Sequence, residues 1–402
     1  NNTDGNNTDG NNTDSNNTNS NNWQTSTLDS NGDFGIHTSM AVDSNGYLHI
    51  SYYDGLSEVI KYGTDKSGSW VSSEIDLSGK NGDASSIAVD SNDEVYIAYY
   101  DSNTYSLRYA SMVNGSWAWT TLDSGTNFSD TNGEYPSLAF DSNDNAHISY
   151  WGSSNDDLKY ATDVSGSWVI STLDSTDNVG KWSSIGIDSA DKVHISYYDS
   201  TNGDLKYATD VSGTWEYSPV DSDGTLGIHS SLVIDSSDDI HISYYDPMYG
   251  DLKYANDVTG SWTITTVDSV GDVGRHNSIA LDSNDDVHIS YHDYVSNYDL
   301  KYATDSSGVW NISIIDSGGN VGDYTSIAIH SNSDISIVYQ DVTNQDLKIA
   351  FNLDFTANSS DGGNDGENNG GNPSSTDTDG DGIPDEDDYC FDGRADWTSN
   401  SS

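Results

Sequence analysis

Five carboxylates near the C-terminal end, Asp377, Asp379, Asp381, Asp385 and Asp388, stand at positions 1, 3, 5, 9 and 12 of a loop with Gly382 at position 6. That spacing, with the backbone carbonyl of Ile383 at position 7, matches an oxygen-ligand loop for calcium, a hard cation that takes carboxylate and carbonyl oxygens. Position 12 is Asp, one methylene shorter than the bidentate Glu usual there. A merely acidic linker is the alternative reading. A second set, His37, Tyr135, Trp182, His229, His276 and Tyr324, occupies one position of a repeat, with Ala84 in the remaining copy. Rings of these types can stack on a sugar or coordinate a metal. A third set is Asn-x-Ser/Thr, at Asn1, Asn6, Asn11, Asn16, Asn114, Asn127, Asn311, Asn358 and Asn400. The first four stand in register at a five-residue spacing, which chance does not supply, and N-linked glycans there require an exported protein.

The repeat must position the second set. Its tryptophan recurs at Trp23, Trp70, Trp117, Trp168, Trp215, Trp262 and Trp310, a period of 47 to 51 residues. A period of this size signals a propeller or a solenoid. Each copy holds four strand candidates. Strand A is of the type S-I-A-V-D (Ser86–Asp90, Ser278–Asp282), followed by an Asx-rich turn. Strand B is V-H-I-S-Y-Y-D, alternating by period two, strand C is D-L-K-Y-A, and a turn of the D-V-S-G-S type leads to strand D, W-V-I-S-T-L-D in one copy. Four short antiparallel strands make a propeller blade, so the fold class is all-β. Nothing has helical period, which excludes an α-solenoid, and a β-helix needs shorter coils. The first strand D (Trp23–Asp29) has no A, B or C before it, and the last A-B-C set (Ser326–Ala350) has no D after it. Joined, they complete a seven-bladed β-propeller. Residues 23–29 are expected to pair near Leu347–Phe351 and close the ring, removing exposed sheet edges.

The turn before strand D runs Asp210, Gly213, Trp215 in one copy and Asp257, Gly260, Trp262 in the next. It resembles the Asp-box class of propellers in general type, with the glycine further from the Asp than that class places it. The resemblance implies a fold and no activity. Sialidases of that class hold a carboxylate substrate with three arginines, whereas this propeller has Arg108 and Arg275 alone. The run from Asp377 to Asp388, followed by Cys390, resembles a thrombospondin type 3 repeat. In that family the cysteine pairs with one in a neighbouring repeat, so further repeats are expected beyond Ser402.

In a propeller the variable position before strand A begins the innermost strand, at the face where ligands usually bind around the axis. A ring of large side chains there either receives a ligand or plugs the channel mouth. Strand B carries His49, His147, His194, His241 and His288, with Tyr96 and Ser336 in the other copies. Equivalent positions on different blades do not converge, so packed, hydrogen-bonded histidines between blades are expected rather than a metal site. Strand C carries Lys61, Arg108, Lys159, Lys206, Lys253, Lys301 and Lys348, seven of thirteen basic residues in the chain. With strands B and C paired, each cation faces the Tyr pair and lies diagonal to the Asp that ends strand B. A repeated Lys–Tyr–Asp cluster between blades is the expectation. No phosphate loop, Ser-His-Asp pattern or Cys nucleophile is present, and Asp is too abundant for paired carboxylates to signal glycoside hydrolysis.

Net charge is −53, and only seven of the 66 acidic residues are Glu. Asp suits turns and metal sites, Glu suits helices. Nucleic acid and anionic membrane surfaces both need a basic footprint and are excluded as partners. No segment approaches the roughly 20 apolar residues of a membrane helix. A single cysteine leaves the core without disulfides, and the start without Met reads as a processed segment of a longer product. Four regions follow: an Asn/Thr-rich tail (1–22), the propeller (23–352), a linker (353–376) and the calcium segment (377–402). These features predict a secreted or cell-surface glycoprotein whose propeller is a structural or adhesive module, self-associating through its tails in an extracellular filament or surface layer. A lectin-like propeller with a carbohydrate ligand is the alternative, and a glycoside hydrolase or related enzyme the third reading.

Overall fold

The computed structural model describes residues 23–352, except residues 31, 77–83, 114, 128 and 296. Twenty-eight strands form seven antiparallel four-stranded sheets, and no helix occurs among the described residues. In blade 4, strands A to D run Val179–Ile187, Val193–Asp199, Asp204–Thr209 and Glu216–Asp221. Blade 7 takes Val321–Ile329, Ile335–Asp341 and Asp346–Asn352, then Trp23–Asp29 as its outermost strand. Gln24 pairs with Phe351, Thr25 with Ala350 and Thr27 with Lys348. The expected closure of a seven-bladed ring is the observed one.

Strand A starts earlier than the S-I-A-V-D pattern suggests, and the ring position falls inside it in six blades. Strand B is buried along its whole length in blades 3 to 7. Its two-residue alternation therefore separates two neighbouring blades rather than core from solvent. Strand D alternates toward solvent and faces outward. Turns are closed by Asp side chains. Asp188 accepts the N–H groups of Ala190 and Lys192 at 2.8 and 2.7 Å in the A–B turn. Asp210, in the C–D turn, accepts the Val193 N–H at 2.9 Å and pins that turn to the start of strand B.

Blades are joined by three repeated contacts. The first is an ionic latch. Asp174, ending strand D of blade 3, accepts from the Tyr197 hydroxyl at 2.8 Å and the Lys206 ammonium at 2.5 Å, both in blade 4. The same latch recurs around Asp29, Asp76, Asp123, Asp221, Asp268 and Asp316, with Arg108 replacing Lys in blade 2. Burial alone would raise the Asp174 carboxyl. Hydrogen bonds led by those from Lys206 and Thr176 outweigh it and hold the group below its usual range. Burial, then the Asp174 charge, push the Tyr197 phenol well above its ordinary value.

The second contact rings the axis. The hydroxyls of Ser39, Ser86, Ser137, Ser184, Ser231, Ser278 and Ser326 each accept a backbone N–H from strand A of the next blade, at 2.9 to 3.3 Å. The third is aromatic: Tyr207 of strand C meets Trp262 of the following blade edge-on at 5.3 Å. Equivalent pairs run to Trp23 on Tyr302, which crosses the closure.

Two expectations need correction. The Lys–Tyr–Asp cluster lies between blades, but its Asp comes from strand D of the preceding blade. In the lysine blades the Asp ending strand B is secondary: Asp199 is 4.0 Å from Lys206 and accepts the N–H groups of Thr201 and Asn202 in its own turn, whereas in blade 2 Asp101 pairs with Arg108 at 2.5 Å. The strand B histidines bond within their own blade, not across to another. His147 Nδ1 meets the Tyr160 hydroxyl at 2.5 Å and its Nε2 lies 3.5 Å from Asp141. The interlocking partner is that tyrosine, which lies against Trp215 of the next blade at 5.4 Å.

Three outcomes follow for stability. Deleting residues 23–29 removes the fourth strand of blade 7 and should lower the melting temperature sharply; an unchanged melt contradicts the closure. Lys206→Met leaves Asp174 buried without its cation and should cost about 3 kcal/mol in chemical unfolding. Burial holds His49, His147 and His288 below their ordinary value of 6.5, so they stay neutral in the fold while the unfolded chain takes up protons. Stability should therefore fall as pH drops below 6.5, by at most about 1.4 kcal/mol per unit per histidine. Calorimetry from pH 7.5 to 5.5 should show the melting temperature declining, less steeply in His147→Gln; a rise would mean relief of the acidic net charge dominates.

Candidate functional site

The ring residues meet around the axis. Centroid distances are 5.1 Å for Tyr135–Trp182, 5.4 Å for Trp182–His229, 4.2 Å for His229–His276, 4.2 Å for His276–Tyr324 and 4.4 Å for His37–Tyr324. All six have left-handed backbone, with φ between 47° and 56°. Strand A bulges there, as between Lys181 and Ser184, so one extra residue turns its ring inward. A bulky residue in this conformation costs on the order of 1–3 kcal/mol and persists only where its surroundings impose it. The imposing groups are visible. Ser183, Ser230 and Asn277 donate to the carbonyls of Tyr135, Trp182 and His229 in the preceding blade, at 3.3, 2.8 and 2.9 Å.

The ring histidines His37 and His229 are neutral stacking surfaces. Burial, helped by the neighbouring His276, lowers His37 to about 3 and holds His229 well below its ordinary value. His229 Nδ1 accepts the backbone N–H of His276 at 2.9 Å. His276 Nδ1 bonds Asp323, and Nδ1 of the buried His292 lies 3.6 Å from the same carboxylate. Burial would raise Asp323, but the hydrogen bond from His276 and the nearby His292 imidazole hold it far below the carboxylate range. The ring positions, Ala84 included, and the mostly Ser and Thr residues that follow them in the seven A strands line an axial cavity of about 240 Å³. No group of three or more metal-binding side chains converges among the described residues.

The stack is broken at one place. Ala84 stands between His37 and Tyr135, and its methyl leaves the ring open. The opening leads into a cavity of about 700 Å³ over blades 2 to 4, much larger than the axial one. Tyr100, Tyr105, Tyr135 and Trp151 contribute its aromatic wall. Tyr135 and Trp151 lie 6.5 Å apart at 52°, and Lys181 Nζ sits 4.4 Å from the Trp151 ring centroid. Trp151 is 7% exposed, and its indole N–H has no hydrogen-bond partner among the described residues. Opposite, the Thr131 hydroxyl bonds Glu134 at 2.6 Å and Ser153 at 2.7 Å. Burial, then the Glu134 charge, push the Tyr135 phenol up to about 12, so it remains a neutral donor.

The structure thus brings His37, Tyr135, Trp182, His229, His276 and Tyr324 together as one stack, in which Tyr135 and His37 also edge the larger cavity. Sequence reasoning missed Tyr100, Trp151 and Lys181. A signal existed for the first two: the second-last residue of strand B is Tyr53, Tyr100, Trp151, Tyr198, Tyr245, His292 and Gln340, a second variable ring position. Asn127 and Asn311 are exposed. Asn1, Asn6, Asn11, Asn16, Asn114, Asn358, Asn400 and the whole Asp377–Asp388 loop lie outside the described residues.

No family model matches the chain and no curated relative was found for it. Solved structures share its fold. Virginiamycin B lyase from Staphylococcus aureus, a catalytically inactive variant crystallised with quinupristin, superposes with a TM-score of 0.58 at 14% identity, over 82% of this chain and 99% of its own. A polysaccharide lyase of family PL25, an ulvan lyase, does so with a TM-score of 0.58 at 13% identity, over 80% and 94%. AofleA from Arthrobotrys oligospora gives 0.50 at 13% identity, over 74% and 90%. At these identities the likeness is one of fold: the chain is a seven-bladed β-propeller.

Proposed function

We propose that this propeller is a non-catalytic carbohydrate-binding module whose saccharide enters the gap at Ala84. The observation that carries the reading is the single break in an otherwise continuous aromatic ring, opening onto a cavity walled by three tyrosines and a tryptophan. Sugar rings present apolar C–H faces that stack on aromatic planes, and hydroxyls that match donors and acceptors such as Trp151 Nε1, Glu134 and Ser153. A cavity of about 700 Å³ has room for a short oligosaccharide. Among the described residues lining it Glu134 is the one carboxylate, and they supply no facing carboxylate pair of the kind general glycoside hydrolysis uses.

The flanking segments suit this role. Glycosylated sequons and a calcium-loaded Asp377–Asp388 loop would belong to an extracellular or cell-surface protein, with tails tethering the module in a larger assembly. In that setting the propeller would present a binding face rather than serve only as a spacer.

Filling the gap is the direct test. Ala84→Trp restores at this position the large ring that its six counterparts carry, and so closes the opening. On a glycan array, wild type should retain oligosaccharides that Ala84→Trp does not, with equal melting temperatures. Tyr135→Ala should weaken the same ligands about tenfold through loss of one stacking surface. A silent array, or undiminished binding by Ala84→Trp, contradicts the reading.

A further inference from the structure

Lys181 carries information beyond the presence of a saccharide site. This chain has 13 basic residues against 66 acidic ones, and its repeated cations are committed to the blade latches. Lys66 and Arg275 also face carboxylates, Asp43 at 3.5 Å and Asp272 at 3.1 Å. Lys181 makes no ion pair within 4.0 Å with any described carboxylate, although the protein is crowded with them. Instead its ammonium lies on the Trp151 ring, inside the cavity entered at Ala84. A cation–π contact leaves the N–H donors on the side of the ammonium away from the ring able to bond a ligand.

The other groups at the cavity agree with a place for a negative charge. Among the described residues Glu134 is its one lining carboxylate, and one of its oxygens accepts from the Thr131 hydroxyl. The hydroxyls of Ser102, Tyr105 and Ser153 add neutral hydrogen-bonding groups to the same wall. The position is also specific to this blade. Its six counterparts at the residue before the ring position are Ile36, Asp83, Glu134, Ile228, Arg275 and Asp323, and of these only Arg275 is basic. Arg275 is held by Asp272 and by the face of Tyr294 at 3.7 Å.

We infer that the saccharide taken by this site is an acidic one, carrying a carboxylate such as that of a uronic acid, and that Lys181 is the residue that selects it. The inference rests on the carbohydrate-binding reading above. The ligand stacks on Tyr135 and the aromatic wall while its carboxylate pairs with the Lys181 ammonium. The acidic net charge does not prevent this. At physiological salt, charges more than about 8 Å away are largely screened, while a contact pair in a half-enclosed cavity is screened much less. Selection therefore depends on the near cation and not on the distant Asp residues.

The experiment is calorimetric titration of the full chain at physiological ionic strength with two probes, a glucuronate-containing tetrasaccharide and the same tetrasaccharide with its carboxyl groups reduced to alcohols. Wild type should prefer the acidic probe by about tenfold, the size of one charge-assisted contact. Lys181→Gln should bind both probes equally, near the wild-type affinity for the reduced one, and Lys181→Arg should restore most of the preference. Melting curves of each variant establish that it is folded. Equal binding of both probes by wild type, or a preference that survives Lys181→Gln, overturns the role of Lys181 and leaves the saccharide site standing. Binding of neither probe, with the glycan array also silent, overturns both.

Discussion

Everything in this fold rests on a carboxylate that one blade lends to the next. The Asp ending strand D, Asp174 between blades 3 and 4, receives a tyrosine hydroxyl and a lysine ammonium from the middle strands of its neighbour. Neither partner could be buried alone: the ammonium would lack a counter-ion and the phenol an acceptor. Because the three groups come from two blades, they are satisfied together only when those blades dock in register. A single four-stranded sheet buries too little to hold itself, so the latch, the axial serines and the Tyr–Trp contacts make the ring the unit that folds. The latch that joins Asp29 to Tyr52 and Lys61 ties the closure strand of blade 7 to blade 1.

Much of this is legible in the residues alone. The period of the tryptophans sets the blade count, and the unmatched strand at each end sets the closure. The lysine series is also readable as structural, since a cation placed identically in every copy serves the packing of copies. The partner assignment is not readable. Two Asp residues per repeat stand near enough to serve, and only the inter-blade geometry chooses Asp174 over Asp199. The histidines mislead for a related reason: a series repeated by blade invites an inter-blade contact, while the actual partners, Tyr160 and Asp141 for His147, lie in the same blade.

The site follows the opposite logic. Its residues are exceptions to the repeat, and an exception is visible as a deviation without revealing what it does. Ala84 is conspicuous in a series of His, Tyr and Trp, yet nothing in the sequence states that those side chains touch in a chain and that a methyl would leave a hole. Their contact depends on a bulge that gives each ring residue a left-handed backbone, which no local pattern announces for Trp182 or Tyr324. Trp151 and Lys181 come together across two blades, 30 residues apart in sequence, and so lie beyond local reading. The constant residues build the frame, and the site is the place where the frame is left incomplete.

The central claim is that a saccharide occupies the cavity at Ala84 rather than the axial channel or the outer rim. Nitrogen-15 spectra of the tryptophan indoles, recorded during titration with a glucuronate-containing tetrasaccharide, test it most directly. Trp151 has a buried indole N–H without a partner among the described residues, so its signal should move progressively and saturate, with outer indoles such as Trp262 unchanged. Movement of Trp182 without Trp151, of outer-strand indoles alone, or of none at saturating ligand would contradict the account.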